Sequence, residues 1–291
     1  MKGYDIMPKH NELKDWELLV HFTSIDNLMK ILITDSIRLS NINLVNDSYE
    51  FLDIELGGTK VLDEEDYKRN CDLNDNEYQR MLIAKELAKE IYDYKERLYL
   101  ACFYNWTIDK NDIYDDYNEI NYGMLYMKYE NLDVPSMWAH YANQNKGVAI
   151  IFDKEKLIEL FEKQFSNDHL ISRHGDIKYR GALDVNFYIN AGYEMEIYDL
   201  SDEIKDKSSL IRAKEILLED LTKNYYLSKH SDWSVEKEYR FLILDKNEKG
   251  KNFKLLKGIT QAIKGIIFGV KSSDTDIHII HEIFKLCCVR E

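Results

Sequence analysis

What is scarce in this sequence excludes a good deal before any motif is read. Only two prolines, Pro8 and Pro135, interrupt 291 residues, so nothing has the proline-rich composition of a linker or a disordered tail. No apolar run approaches the roughly 20 residues that span a bilayer, and the opening Met1-Lys2-Gly3-Tyr4-Asp5 lacks the apolar core of a signal peptide. A cytoplasmic protein with no membrane partner is expected. The four cysteines, Cys71, Cys102, Cys287 and Cys288, form no CxxC pair, and the adjacent two are poorly placed to share a tetrahedral metal. Buried free thiols and no metal are the expectation. Positive charge is short as well: 39 Lys and Arg against 53 Asp and Glu leave a net charge of −14. That balance repels a phosphate backbone over most of the surface and gives no general counterion-release drive toward nucleic acid. There is no P-loop and no Ser-His-Asp signature.

What is present is an ordinary globular balance, 45% apolar and 32% charged, with no internal repeat and no long flexible linker. The pattern predicts a single α+β domain over residues 1–291, with a central, mostly antiparallel sheet flanked by helices. Polar insertions are expected at about 57–76 and 105–131, the second a loop or lid. The 21 tyrosines suit cleft walls and a tyrosine-rich core equally well.

The organising stretch is His21-Phe22-Thr23-Ser24, which follows Leu18-Leu19-Val20 and precedes a helical pattern with Ile25, Leu28, Met29 and Leu32 on one face. Ser24 is a natural N-cap. An imidazole and a hydroxyl thus sit at a strand end beside a helix N-terminus, whose free N–H groups favour anions. Further strands are expected at 36–40, 98–104, 148–152, 170–179, 233–244, 263–269 and 287–289, and helices at 77–96, 154–165, 207–229 and 274–286. The helix at 77–96 would bury Met81, Leu82, Leu87 and Ile91, and the one at 207–229 would end on the cations Lys229 and His230. Asn46-Asp47 reads as a turn or helix cap. On a short helix near Ser136, Trp138 and Tyr141 would share a face, as a stacking wall for a planar ring or as a core plug. Period-two alternation from Trp233 onward puts Glu236, Glu238 and Arg240 on one face of a strand. Because that strand continues into a strongly apolar run, its charged face must meet partners or a ligand.

These motifs, His21-Phe22-Thr23, Asn46-Asp47 with Glu50, Trp138-Ala139-His140-Tyr141-Ala142 with Gly147, and Trp233 with Glu236, Glu238 and Arg240, stand in the order seen in the bacterial family called domain of unknown function 2971. The chain resembles that family from about residue 18 to 270, with Asn46-Asp47-Ser48 where the family usually has Asn-Asp-Pro. The segment from His21 to Leu32 is also similar to the opening motif of DarT-type toxins that ADP-ribosylate DNA. That second resemblance implies an NAD-consuming ADP-ribosyltransferase-like enzyme, a bacterial toxin or phage-defence effector, with NAD as substrate. His21, Tyr141 and Glu238 would be catalytic, and Thr23, Arg38, Asn46, Trp138, Glu236 and Arg240 would bind the dinucleotide. The acceptor stays open among protein, nucleic acid and small molecule. The alternative is a non-catalytic nucleotide- or partner-binding module in a defence or toxin–antitoxin system. Glu238 would stabilise the oxocarbenium-like state formed as nicotinamide leaves.

Overall fold

In a computed structural model, which describes residues 16–44, 82–83, 86, 93–94, 96–108, 132, 134–181, 206–248 and 250–288, the apolar run before His21 forms β1 (Trp16–Thr23). Its successor α1 (Ile25–Thr34) starts at Ser24, whose hydroxyl accepts the Asn27 N–H at 3.3 Å, and buries Leu28, Ile31 and Leu32. The chain continues through β2 (Ser36–Asn41), β3 (Leu98–Ile108), α2 (Pro135–His140), β4 (Val148–Asp153) and α3 (Lys154–Gln164). Then come β5 (Leu170–Asp176), β6 (Lys178–Arg180), α4 (Lys207–Asp220), β7 (Ser228–His230) and β8 (Glu238–Asp245). β9 (Phe253–Lys257), β10 (Ile263–Phe268) and α5 (Asp274–Cys288) close the described chain.

The architecture is α+β, built on one large antiparallel sheet with helices against it; β6 and β7 pair separately and in parallel. β3 is its axis. One edge of β3 pairs with β8 from Leu98 to Tyr104, and β8 pairs onward with β5. The opposite edge is shared, with β1 beside Tyr104–Ile108 and β2 beside Tyr99 and Leu100. The sheet therefore forks: one arm runs β3-β1-β4-β10 and the other β3-β2-β9.

Alternation along the strands separates two cores. On one face Leu19, Phe103, Ile150, Phe152 and Phe241 pack with Leu28 and Leu32 of α1 and Leu157 and Phe161 of α3. On the other, Leu98, Leu100, Leu242 and Leu244 meet Leu217 and Leu218 of α4, while Phe22, Tyr104 and Trp106 meet Met137 and Trp138 of α2. Each fully buried side chain of this size stabilises the fold by about 1.5–3 kcal/mol.

Several expected boundaries move. The strand at 98–104 runs on to Ile108, so residues 105–108 are not part of an insertion; 109–131 lie outside the described residues, as do 57–76 and Asn46. Of the helix at 77–96, residues 82–83, 86 and 93–94 are helical, and Leu82 is exposed rather than buried. Cys287 and Cys288 belong to α5, not to a closing strand. The largest change follows α4. A π-turn, Leu221–Tyr225, closed by the Tyr226 N–H donating to the Leu221 carbonyl at 3.0 Å, ends the helix early. Lys229 and His230 then lie in β7. Finally, 231–236 is a 3₁₀ turn, and β8 begins only at Glu238, after Lys237 in a left-handed conformation (φ 39°).

Candidate functional site

The start of β8 carries its charge inward. Glu238 and Arg240 alternate with the apolar Tyr239 and Phe241 and lie on the face that includes their β3 partners Tyr104 and Cys102. Arg240 is fully buried and Glu238 is 4% exposed. The Arg240 Nε–H and a terminal N–H both donate to Glu238 Oε1, at 2.8 and 2.7 Å, and its other terminal nitrogen donates to the Tyr226 carbonyl at 2.7 Å. The early exit from α4 places that carbonyl there.

Lys237's left-handed turn brings Glu236 beside Glu238 although the two leave different elements. One ammonium joins them: Lys229 Nζ donates to Glu236 Oε2 at 2.7 Å and to Glu238 Oε2 at 3.2 Å, with the Trp233 ring 5.1 Å away. Lys229 and Glu236 are each 5% exposed. Tyr141, just past α2, donates its hydroxyl to Glu236 Oε1 at 2.6 Å, and the Tyr179 hydroxyl accepts the Glu238 N–H at 2.6 Å.

Burial by itself would raise the Glu238 carboxyl. The Arg240 guanidinium, the Lys229 ammonium and hydrogen bonds from Cys102 and Arg240 outweigh it and hold the group below its ordinary range. Tyr141 goes the other way: desolvation, then its bond to the Glu236 carboxylate, push the phenol far up, so it remains a donor at neutral pH. Tyr179 is pushed up to about 12, chiefly by burial. The result is a dry set of charges, two carboxylates against two cations, with protonated phenols on both sides. A cleft of about 490 Å³ opens beside it, lined by Tyr104, Thr107, Asp176, Tyr179, Lys237 and Glu238 among others. That volume is within the range of small-molecule sites.

The structure brings together Tyr141, Glu236, Glu238 and Arg240 of the residues singled out in the sequence. It does not bring His21 to them. His21 alternates with Val20 and Phe22 and packs its ring at a tilt of 52° against Phe103, 5.5 Å away, a member of the α1 and α3 core on the opposite face. Its Nδ1–H donates to the Cys102 carbonyl at 3.3 Å, since a carbonyl can only accept. Burial lowers its imidazole, against the pull of that bond, and keeps it neutral. Thr23 is 5% exposed on the same side as His21, and its hydroxyl accepts from Asn27 Nδ2 at 3.3 Å at the start of α1. Arg38 is on the β2–β9 arm, stacked 4.2 Å over Phe253. Trp138 is 3% exposed, edge-on to Phe22 at 5.1 Å, with its Nε1–H donating to the Leu132 carbonyl, so it is a core plug. Tyr141 stands apart from it, 37% exposed, because α2 ends at His140.

Lys229 and Tyr179 are the members that sequence reasoning missed. Lys229 follows a convincing helical pattern and reads as its final turn; one tyrosine among 21 carries no signal of its own. Among the described residues no three His, Cys, Asp or Glu side chains are placed to hold a metal ion. None of the described helices is long and apolar enough to cross a membrane. Residues 137–241 match a family model described as protein of unknown function, DUF2971, in keeping with the resemblance over that stretch. No curated protein and no solved structure matches the chain.

Proposed function

The DUF2971 match spans Tyr141, Tyr179, Lys229, Glu236, Glu238 and Arg240 and leaves His21 outside, and from that premise we propose that this cluster is the reaction centre of an NAD-consuming, ADP-ribosyltransferase-like enzyme. The observation that carries the reading is the pair of buried carboxylates, Glu236 and Glu238, held together by Lys229 beside a cleft. Departure of nicotinamide leaves positive charge on the ribose, and a preorganised carboxylate in a water-poor site stabilises that charge far better than water does. Tyr141, the exposed member, and Glu236, to which it donates, meet the ribose hydroxyls. Glu238, fixed by Arg240, supplies the second carboxylate and the negative potential. His21 has no role in this reading beyond supporting β3.

The test is nicotinamide release from NAD by the purified protein, compared with Glu236→Gln and Tyr141→Phe. The reading expects turnover by the parent chain and a loss of roughly a hundredfold in each variant, with a much smaller change in NAD affinity. A parent chain that binds NAD without releasing nicotinamide gives the second reading, a nucleotide-binding module. That reading is favoured by one observation, that both oxygens of Glu238 already carry charged donors.

A further inference from the structure

Two carboxylates approached by one ammonium raise the question of what lets both stay ionised out of water. Arg240 spends two of its N–H groups on Glu238 Oε1 and a third on the Tyr226 carbonyl. Glu236 accepts hydrogen bonds from Tyr141, beyond α2, and from Lys229, in β7. Among the described residues, Tyr179 of β6 and Cys102 of β3 are further titratable groups against the pair. Lys229 thus donates to both side chains, at 2.7 and 3.2 Å, and it is itself 5% exposed. We propose that Lys229 is the positioning residue of this site, the shared counter-ion that allows Glu236 and Glu238 to be ionised side by side.

The physical reason is charge count. Among the described residues, two negative groups here meet the cations Lys229 and Arg240; removing the Lys229 charge leaves the pair with Arg240. Like charges that close in a low-dielectric site do not both ionise, and one carboxylate takes up a proton instead. Its folded-state pKa then lies above its unfolded value. Such a group contributes stability that is present below the unfolded pKa and is lost as pH rises through the folded one. The parent chain has the opposite sign at Glu238, where stability is lost as pH falls. A lysine that only filled space would leave both profiles parallel.

The experiment is thermal melting of the full chain from pH 4.5 to 8.5, for the parent, Lys229→Met, which keeps the stem and drops the charge, and the double variant Lys229→Met with Glu236→Gln. At pH 8 the single variant is expected to melt about 5–10 °C lower than the parent, with the gap closing toward pH 5. The double variant recovers at least half of that loss at pH 8. Should the single variant not fold at pH 8, folding at pH 5 or recovery by Glu236→Gln still decides the point. A gap independent of pH, or no recovery in the double variant, overturns the assignment. Melting is read without NAD, so this outcome and that of nicotinamide release stand separately.

Discussion

Replacing Glu238 with Gln keeps the side chain's shape but withdraws the charge that Arg240 and Lys229 share, leaving two buried cations with Glu236 as the remaining carboxylate. The expected cost is about 3–5 kcal/mol, seen as a lower melting temperature. Activity of that variant has to be compared per folded molecule, whereas Tyr141→Phe, at a more exposed position, should alter stability by only about 1 kcal/mol. Acid sensitivity should come in two steps. His21, with its imidazole lowered by burial, contributes stability present above its unfolded pKa and lost as pH falls below about 6.5. Glu238, lowered by Arg240 and Lys229 in spite of burial, contributes a second loss as pH falls below about 4.3 and through its folded value. Melting curves from pH 7.5 to 3 check this: His21→Phe should remove the upper step alone, and Glu238→Gln the lower one.

At the scale of elements, the junction of β1 with the turn before β4 has no slack. A Cβ on Gly147 would lie 2.2 Å from the Thr23 carbonyl oxygen and 2.9 Å from the Ala142 carbonyl, all backbone. Gly147→Ala should therefore cost about 3 kcal/mol by forcing strands apart, against about 1 kcal/mol for Ser24→Ala at the α1 cap; denaturant titration would measure both. The Ser24 cap is also among the features that local chemistry makes legible. Ser24, Leu28 and Leu32 announce α1, Leu98–Tyr104 announces the axial strand, and the alternation Glu238, Arg240 against Tyr239, Phe241 identifies a strand with an inward charge. What escaped has a local physical cause each time. The spacing of Leu217, Leu221 and Tyr225 continues a helix on paper, but the π-turn unwinds it before Lys229. Apparent alternation through Glu236 is produced by a left-handed Lys237, not by an extended strand. Register decides that His21 faces away from Glu238, since Val20 pairs with Tyr104 and Tyr104 with Glu238, and order in the chain contains no information about faces.

For the molecule as a whole, a net charge of −14 should keep duplex DNA off its surface. Titration with a labelled random duplex at about 50 mM salt, where electrostatic binding is strong, is expected to show no saturable complex; tight binding there would point to a local basic groove. The fork at β3 carries a different consequence. An open sheet of the usual kind has two outer strands, whereas among the described residues this one has three, β10, β9 and β5, and an outer strand's unpaired border invites a neighbouring chain to add a strand. Each is guarded in its own way. β9 is only five residues long, ends on Lys257, and has its border partly occupied by Gln164 of α3, whose amide donates to the Leu255 carbonyl at 2.6 Å and accepts the Lys257 N–H at 2.9 Å; β10 is dislocated by a register shift between Ile263 and Gly265, next to Lys264. β5 places Arg173, His174 and Gly175 in its middle. Replacing Gln164 and Lys257 with alanine and valine would remove one of these guards, and faster fibril or aggregate formation on gentle heating is the outcome to look for.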